Sequence, residues 1–352
     1  MIFEINTKLF KNALDKINLC HTRYDMNSTL LDIVIVEGKI YLEFCSGIQY
    51  MQVNTGYLVD STVNKRVTCS FQILYDVVVS IDLKKELVFS MSITDKQLKI
   101  FGTNYSVLIS IVKRDFIDWL EKEEIMYKDV KTGNFLDCVQ KVEGFLSLDI
   151  VQSINKFCLH PDGLFISFDR EVLGIGVLDN NWHVQHKLLF DKLDITVLKG
   201  LLKDSFGVCS VNDKLFIKGE DYIFGFRCGT AYPGVEDLIQ SFPIKEDYII
   251  LPKSALLDNL RLMKGLTSKD FDCLSIKIID NIMNLNLTAI IGVVDIKIPC
   301  KGNNICFACK CTAFTKIINC CENEIRFNFY DNCMVISDSI GNKIYYLLRL
   351  NN

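Results

Sequence analysis

An internal repeat constrains the fold of this chain more than any other feature of its sequence. A hairpin of one pattern is written three times, as "DKQLKIFGTNY" from Asp95, "DKLFIKGEDY" from Asp213 and "DNCMVISDSI" from Asp331. Self-similarity at a long, fixed period is the mark of a chain built from copies of one supersecondary unit. We therefore expect three structurally equivalent modules.

The strand before each hairpin repeats as well. The segments "ELVFSM", "SFGVCSV" and "EIRFNF" align so that Leu87, Phe206 and Ile325 are predicted to be equivalent, at a constant spacing of 119 residues. An earlier hairpin recurs in the same order and carries a turn signal each time. The three signals are Glu37-Gly38, Asp162-Gly163 and Asp280-Asn281, each followed by period-2 alternation of apolar residues.

Six segments between these strands have helical periodicity. In the first, Phe10, Ala13, Leu14 and Ile17 recur at i, i+3, i+4 and i+7. The segment from Ser70 is helical against the β propensity of its "YDVVVSI" run. The predicted helices span 7–18, 70–82, 132–143, 191–203, 253–264 and 310–321. Each module thus contains helix, strands, second helix and strands, with boundaries predicted at 1–122, 123–243 and 244–352.

Composition sets limits on location and chemistry. The chain has 352 residues, of which 49% are hydrophobic and 23% charged, so it is long enough for several cores. Its N-terminus does not have the pattern of a signal peptide, and its apolar runs are too short to span a bilayer, so a cytoplasmic location is expected. The fifteen cysteines lack a framework spacing and are expected to be reduced thiols. A net charge of −4 argues against binding nucleic acid through bulk charge alone.

Three segments carry a resemblance to a known family: "MIFEIN" at the start, "LKIFGTNYSVLISIVKRDFIDW" and "DKLFIKGEDYIFGFRCGTAYPGVEDLI". The chain resembles the bacterial-type β sliding clamp of DNA replication over essentially its whole length. The resemblance implies an α+β fold of three tandem clamp modules, each with two helices packed on antiparallel sheets. It also implies a head-to-tail homodimer that forms a ring around double-stranded DNA and tethers the replicative DNA polymerase as a processivity factor. The segments "SFDREVLGIGV" and "YYLLRLNN" depart from the family pattern and indicate a divergent member. The usage of Ile, Asn and Lys indicates a phage or an AT-rich genome, so we expect a protein associated with DNA in a bacterial or phage-infected cell.

The charge of the predicted helices agrees with a DNA-lined hole. They contain twelve basic and eight acidic residues, a net charge of +4, whereas the rest of the chain carries −8. Phosphate contacts of this kind are independent of base sequence and sensitive to salt. Any one surface lysine is as readily a solvated side chain as a DNA contact. The predicted DNA-facing residues are Lys8, Lys11, Lys16, Lys141, Lys192, Lys199, Lys203, Arg261, Lys264, Lys310, Lys316 and, by resemblance, Arg23.

A partner site follows from the resemblance alone. Short linear motifs of the polymerase and the clamp loader would bind an apolar groove between the second and third modules. The alternative is that these positions are ordinary core or strand residues. The matching residues are Leu173, Phe242, Pro243, Leu347, Leu348 and Leu350.

Other chemistry finds little support in the sequence. Cys306-x-x-Cys309 has zinc-like spacing, but no second C-x-x-C follows at the spacing of a zinc ribbon. His183 and His186 are three apart on a predicted strand, where such residues point to opposite faces. We predict no metal, no cofactor and no catalytic residue. The alternative function is a repeat-built scaffold that binds proteins without encircling DNA.

Overall fold

The computed structural model describes the following residues: 2–20, 29–59, 64–114, 119, 125–147, 155–169, 171–178, 182, 184–203, 205–229, 248–268, 272–290, 292–331, 333–338 and 344–349. The chain divides into two compact units. Unit 1 contains Met1–Thr132 and Lys192–Gly229, and unit 2 contains Gly133–Asp191 and Thr230–Asn352. Each unit draws on residues from both sides of a predicted module boundary, because the sheets continue across those boundaries. The three module boundaries themselves stay predictions.

The six predicted helices are confirmed within two residues at each end. The second forms despite its β-branched residues because Phe71, Leu74 and Val78 share one buried face, and the Ser70 hydroxyl accepts a hydrogen bond from the backbone N–H of Ile73 at 3.5 Å. The helices are α1 Thr7–Cys20, α2 Phe71–Ser80, α3 Thr132–Val142, α4 Lys192–Leu201, α5 Lys253–Lys264 and α6 Cys311–Cys320.

Unit 1 contains one antiparallel sheet of twelve strands among the described residues. Along the sheet the strands follow the order β1-β6-β7-β8-β5-β2-β3-β4-β16-β15-β14-β9. Their bounds are β1 Ile2–Asn6, β2 Leu30–Val36, β3 Lys39–Cys45, β4 Gln49–Leu58, β5 Lys65–Ser70, β6 Val88–Ile93, β7 Gln97–Phe101, β8 Ser106–Val112, β9 Lys128–Lys131, β14 Ser205–Val211, β15 Lys214–Lys218 and β16 Tyr222–Arg227.

Unit 2 contains two antiparallel sheets in its described part, with the orders β13-β10-β11-β12-β24-β23-β22-β17 and β20-β19-β18-β21. The fold class α+β is therefore confirmed. The bounds are β10 Phe157–Leu159, β11 Leu164–Phe168, β12 Val172–Val177, β13 Leu188–Phe190, β17 Ile249–Pro252, β18 Cys273–Ile279, β19 Ile282–Ala289, β20 Gly292–Pro299, β21 Ile305–Lys310, β22 Glu324–Phe329, β23 Cys333–Asp338 and β24 Ile344–Arg349.

The repeat is present in the strand pairing, with one correction to the predicted alignment. β1 pairs with β6, β9 with β14 and β17 with β22, and a helix follows the first strand of each pair. In this pairing Phe206 and Ile325 match Phe89, not Leu87. Phe89 is buried like its two counterparts, whereas Leu87 is 71% exposed. The sequence alignment was two residues out because it followed chain spacing, and a slip of two residues leaves each side chain on the same face of its strand.

The predicted turns are confirmed by their backbone angles. Glu37 and Gly38 have φ of 49° and 73°, and Asp280 and Asn281 have φ of 50° and 62°. Two successive positive φ values belong to a two-residue type I′ turn, whose twist matches that of the strands it joins. Gly163, in the middle copy, has a φ of 76°. These turns set the register of the three early hairpins.

Candidate functional site

Several predicted DNA-facing residues lie on exposed helix faces of unit 1. Lys8 is exposed on the side of α1 away from the buried Phe10 and Leu14, and Lys11 is half-buried beside that buried face. Lys192, Lys199 and Lys203 are exposed on α4 and just beyond it.

Helices α1 and α4 pack closely against each other within unit 1. A Cβ atom on Gly200 of α4 would come within 2.9 Å of the Leu19 side chain of α1, so glycine permits the close approach. The basic faces of two helices that are distant in sequence therefore lie side by side.

Lys16 has a more enclosed position than the other lysines of α1. Its ammonium forms an ion pair with Asp221 and lies 5.7 Å from the centre of the Tyr222 ring. Lys16 and Lys203 border two cavities of about 460 and 570 Å³. The structure thus gives Lys16 a partner inside the protein that the sequence did not indicate.

In unit 2, two predicted residues share one small cavity. Lys264 of α5 and Lys316 of α6 line a space of about 260 Å³ together with Thr312, Thr315 and Asn319. The Thr312 hydroxyl donates a hydrogen bond to Asp272, and the Lys316 ammonium lies 3.9 Å from the Asp169 carboxylate, so carboxylates lie close to these basic groups. Lys316 also lies 4.9 Å from a ring centre, that of Phe145.

Lys141 of α3 is largely buried and enclosed by carboxylates. Its Nζ lies 2.7 Å from Glu322 and 3.6 Å from Asp338. Burial opposes the charge, but the hydrogen bond to Glu322 and the nearby carboxylates outweigh it and raise the pKa of Lys141. The same hydrogen bond lowers the pKa of Glu322. Lys141 is therefore held in a structural network, as Lys16 is in unit 1.

The other predicted basic residues are also engaged. Lys310 lies 2.7 Å from Glu171, and Arg261 lies 3.3 Å from Asp258, three residues before it on the same helix. Arg23 lies outside the described residues. The role of all these side chains toward DNA stays a prediction.

Two strand pairs join the predicted modules, and we call them seams. Seam 1 is the pairing of β4 with β16 in unit 1, with Tyr50 opposite Gly225. Seam 2 is the pairing of β12 with β24 in unit 2, with Leu173 opposite Leu347. Each seam makes one continuous sheet out of strands from two predicted modules.

Seam 1 is covered by Trp119, which the sequence analysis did not single out. The Trp119 side chain is 2% exposed, stacks on Tyr50 at 6.2 Å and donates a hydrogen bond from Nε1 to the Ser46 carbonyl at 3.1 Å. Lys214 and Arg227 lie over the same ring at 5.5 and 5.7 Å. The sequence did offer a signal for this role. A tryptophan beside a charged linker between two predicted modules has a large apolar side chain that is expected to be buried against one of them.

Seam 2 holds part of the predicted partner site. The structure brings Leu173, Leu347 and Leu348 together on adjacent strands, and the side chains of Leu173 and Leu348 are buried. Phe242, Pro243 and Leu350 lie outside the described residues, as does the Leu347 side chain. The partner groove stays a prediction, although two of its members are core residues here.

The cysteines show no metal-binding arrangement in the described parts of the chain, where no group of three or more His, Cys, Asp or Glu residues could hold a metal ion. All fifteen cysteines are free thiols. Cys306 is exposed and Cys309 is buried on β21, on opposite faces of the strand. Burial raises the pKa of Cys311 to about 11, which disfavours the reactive thiolate. His183 lies outside the described residues. No helix in the described ranges is long and apolar enough to cross a bilayer.

Comparison with known proteins identifies the fold. The sequence matches no protein-family model and no curated protein. Solved structures match it over its full length. The DNA polymerase III subunit beta from Pseudomonas aeruginosa has a TM-score of 0.84 at 12% identity and covers 100% of both chains. The DNA polymerase sliding clamp from Caulobacter crescentus has a TM-score of 0.82 at 11% identity, again over 100% of both chains. The DNA polymerase III beta subunit from Thermotoga maritima has a TM-score of 0.77 at 15% identity, over 100% of this chain and 99% of that chain. The chain has the fold of the bacterial β sliding clamps, which confirms the predicted resemblance at the level of fold.

Proposed function

We propose that this protein is a DNA sliding clamp, which encircles duplex DNA as a head-to-tail dimer and tethers a DNA polymerase during synthesis. The observation that carries the proposal is the similarity of its whole chain to solved sliding clamps, with 100% of this chain covered by the match. Because the match spans the whole chain, it supports the proposal for all three predicted modules and not for one alone. In this role the protein binds and positions other molecules and catalyses no reaction of its own.

Unpaired strand edges support the dimer. Along residues 106–110, β8 pairs with β7, and its other edge meets β5 only at Ile111 and Val112. β20 is the last strand of its sheet and pairs with β19 alone among the described residues. An open strand edge is a template for pairing with a strand of another chain. Seam 1 pairs β4 with β16 and seam 2 pairs β12 with β24, so β20 and β8 are the equivalent strands of the repeat that neither seam uses, and we expect β8 of one copy to pair with β20 of another.

Basic helix faces support DNA binding. Exposed Lys8, Lys192, Lys199 and Lys203 in unit 1 and the cavity between Lys264 and Lys316 in unit 2 offer contacts to phosphate. No base-reading element is required, because phosphate contacts position a protein on DNA without reading its sequence. Weak contacts of this kind suit a ring whose attachment to DNA is topological.

Partner binding is proposed on the same similarity. The polymerase and the clamp loader would bind through short linear motifs at the apolar surface of seam 2, on the face of the sheet to which Leu173 of β12 belongs.

The test compares retention on closed and open DNA. The protein is assembled on nicked circular plasmid, fixed with a bifunctional crosslinker and separated by gel filtration at moderate salt, before and after the plasmid is cut once. Light scattering counts chains in the same sample. A dimer that stays on circles and leaves linear DNA supports the proposal. Equal loss from both DNAs, or a monomer at all concentrations, would refute encirclement and favour the scaffold.

A further inference from the structure

The turn between β11 and β12 in unit 2 presents two carboxylates in a fixed geometry. The backbone N–H groups of Glu171 and Val172 both donate to Oδ1 of Asp169, at 3.1 and 2.8 Å. The Asp169 N–H donates to the Val172 carbonyl at 3.2 Å. An aspartate that accepts hydrogen bonds from the backbone of its own turn stabilises that turn in one shape. The other oxygen of Asp169 and the side chain of Glu171 are left to face groups outside the turn.

The groups that they face are two lysines at α6. Glu171 accepts a hydrogen bond at 2.7 Å from Nζ of Lys310, the last residue of β21 before the helix begins. Oδ2 of Asp169 lies 3.9 Å from Nζ of Lys316, in the middle of the helix. Both lysines are among the residues predicted to face DNA. The chain thus places its own anions against lysines that the proposed function assigns to phosphate.

These ion pairs are weak enough to be exchanged. The Lys310 and Glu171 side chains are 45% and 27% exposed, so water and salt reach both members of the pair. An ion pair between solvent-exposed groups shifts an equilibrium by no more than about fivefold. Duplex DNA carries one negative charge per about 1.7 Å of its axis, a denser array of anions than two carboxylates on a turn. Phosphates can therefore replace these carboxylates at small cost.

Unit 1 has no such arrangement at its exposed lysines. Lys8, Lys192 and Lys203 are exposed, and none of the three forms an ion pair with the described residues. Phosphate would bind these lysines without first displacing a carboxylate. The predicted DNA-facing lysines therefore differ in what they must give up to reach DNA.

We propose that the two carboxylates of the β11–β12 turn compete with DNA phosphates for Lys310 and Lys316, and so lower the affinity of unit 2 for DNA. This inference rests on the proposed function, because it concerns lysines assigned there to DNA. The two units then contribute unequally: unit 1 offers its lysines directly, whereas unit 2 releases its lysines only in exchange for a broken ion pair. Low affinity of this kind suits a protein that must move along DNA while it stays attached.

The first variant is Glu171→Gln, which keeps the size of the side chain and removes its charge. Glu171 is the better choice because Asp169 also stabilises the turn. Affinity for a short fluorescent DNA duplex, measured by fluorescence anisotropy, is expected to rise about twofold to fivefold at about 0.05 M salt. The gain should disappear at about 0.5 M salt, where exposed charges are screened.

The matched control is Asp95→Asn in unit 1. Asp95 is exposed and pairs with Lys65 at 3.1 Å, a lysine outside the helices that is not predicted to face DNA. The control removes the same charge from a similar pair and should change the affinity much less. Circular dichroism establishes that each variant is folded. If Glu171→Gln binds the duplex no more tightly than Asp95→Asn does, the competition is overturned while the sliding clamp of the proposed function stands.

Lys310→Met, made in wild type and in Glu171→Gln, separates competition from simple repulsion of DNA by Glu171. With competition, the loss of Lys310 costs more affinity in Glu171→Gln, because in wild type it also removes the ion pair that opposes binding. Equal costs in the two backgrounds would mean that Glu171 acts on DNA only at a distance, and would overturn the inference. If no variant, wild type included, binds the duplex at low salt, both the inference and the proposed contacts of the basic helix faces with DNA are wrong.

Discussion

Trp119 allows a strict test of the idea that seam 1 depends on side chains laid over it rather than on strand pairing alone. The perturbation is Trp119→Ala. The indole is almost fully buried, stacks on Tyr50 and donates to the Ser46 carbonyl. Removing a buried large aromatic side chain costs about 3–5 kcal/mol, since the cavity left behind closes only in part. The two cations over the ring, Lys214 and Arg227, add about 0.5–1 kcal/mol each.

The assay is amide hydrogen exchange read by mass spectrometry on peptides from β4 and β16. A local loss of about 3 kcal/mol corresponds to exchange about a hundredfold faster at the paired positions Met51 and Phe224. Trp119→Phe, which keeps a stacking ring but loses the N–H donor, should show a smaller change. Peptides of seam 2 serve as the internal reference and should not respond.

The reasoning is refuted if Trp119→Ala leaves exchange in β4 and β16 unchanged. Strand pairing would then be sufficient for seam 1. A uniform increase across both units would be a different failure, because it would mean that Trp119 supports global stability and not this seam.

Three further predictions follow from the geometry. Phe89→Ala should lower the free energy of unfolding by about 3 kcal/mol or more in urea, whereas Leu87→Ala should change it by less than about 0.5 kcal/mol, and the reverse order would overturn the corrected repeat alignment. Lys8→Glu should weaken direct binding to a short linear duplex and reduce the dependence of that binding on salt, measured by fluorescence anisotropy, without changing the melting temperature. Lys141→Met should lower the free energy of unfolding most at neutral pH and less in acid. The pKa of Glu322 is lowered in the folded state, so the stability that Glu322 gains from its pair with Lys141 is present above the ordinary glutamate pKa and is lost as pH falls through the lowered value. Melting temperatures measured from pH 7 to 3 would detect this change.

Much of the fold could be predicted because the repeat shows each element three times. The helices were predicted from one stripe of apolar residues, and the turn at Glu37 and Gly38 from residue types that accept positive φ. The predicted position of Leu87 in the repeat was wrong by two residues. A slip of two residues leaves every side chain on the same face of the strand, so the alternation of apolar residues does not reveal it. Contacts between distant segments, such as that of Lys16 with Asp221, were beyond reach, because a lysine on a helix reads the same whether its partner is water, phosphate or a carboxylate.

The candidate site was predicted less well than the fold for a physical reason. Basic residues were chosen by type and helix position, yet burial and ion pairing divide them into different groups. Lys8 is exposed to solvent, whereas Lys141 is enclosed by carboxylates. The partner groove depends on Phe242 and Pro243, which lie outside the described residues. Trp119 was missed because a search for chemistry-bearing residues passes over an aromatic side chain whose role is to cover a sheet.

Seam 1 also has a consequence for biosynthesis. Val53 of β4 pairs with Tyr222 of β16, a partner 169 residues later in the chain. A ribosome has therefore released the whole first module long before its last neighbour strand exists, and the edge of β4 stays open for that time. Long-range pairings of this kind form slowly and leave nascent chains prone to aggregation. Unit 1 is complete only when residue 229 has left the exit tunnel, so a pause in translation before that point would prolong the exposure of the β4 edge.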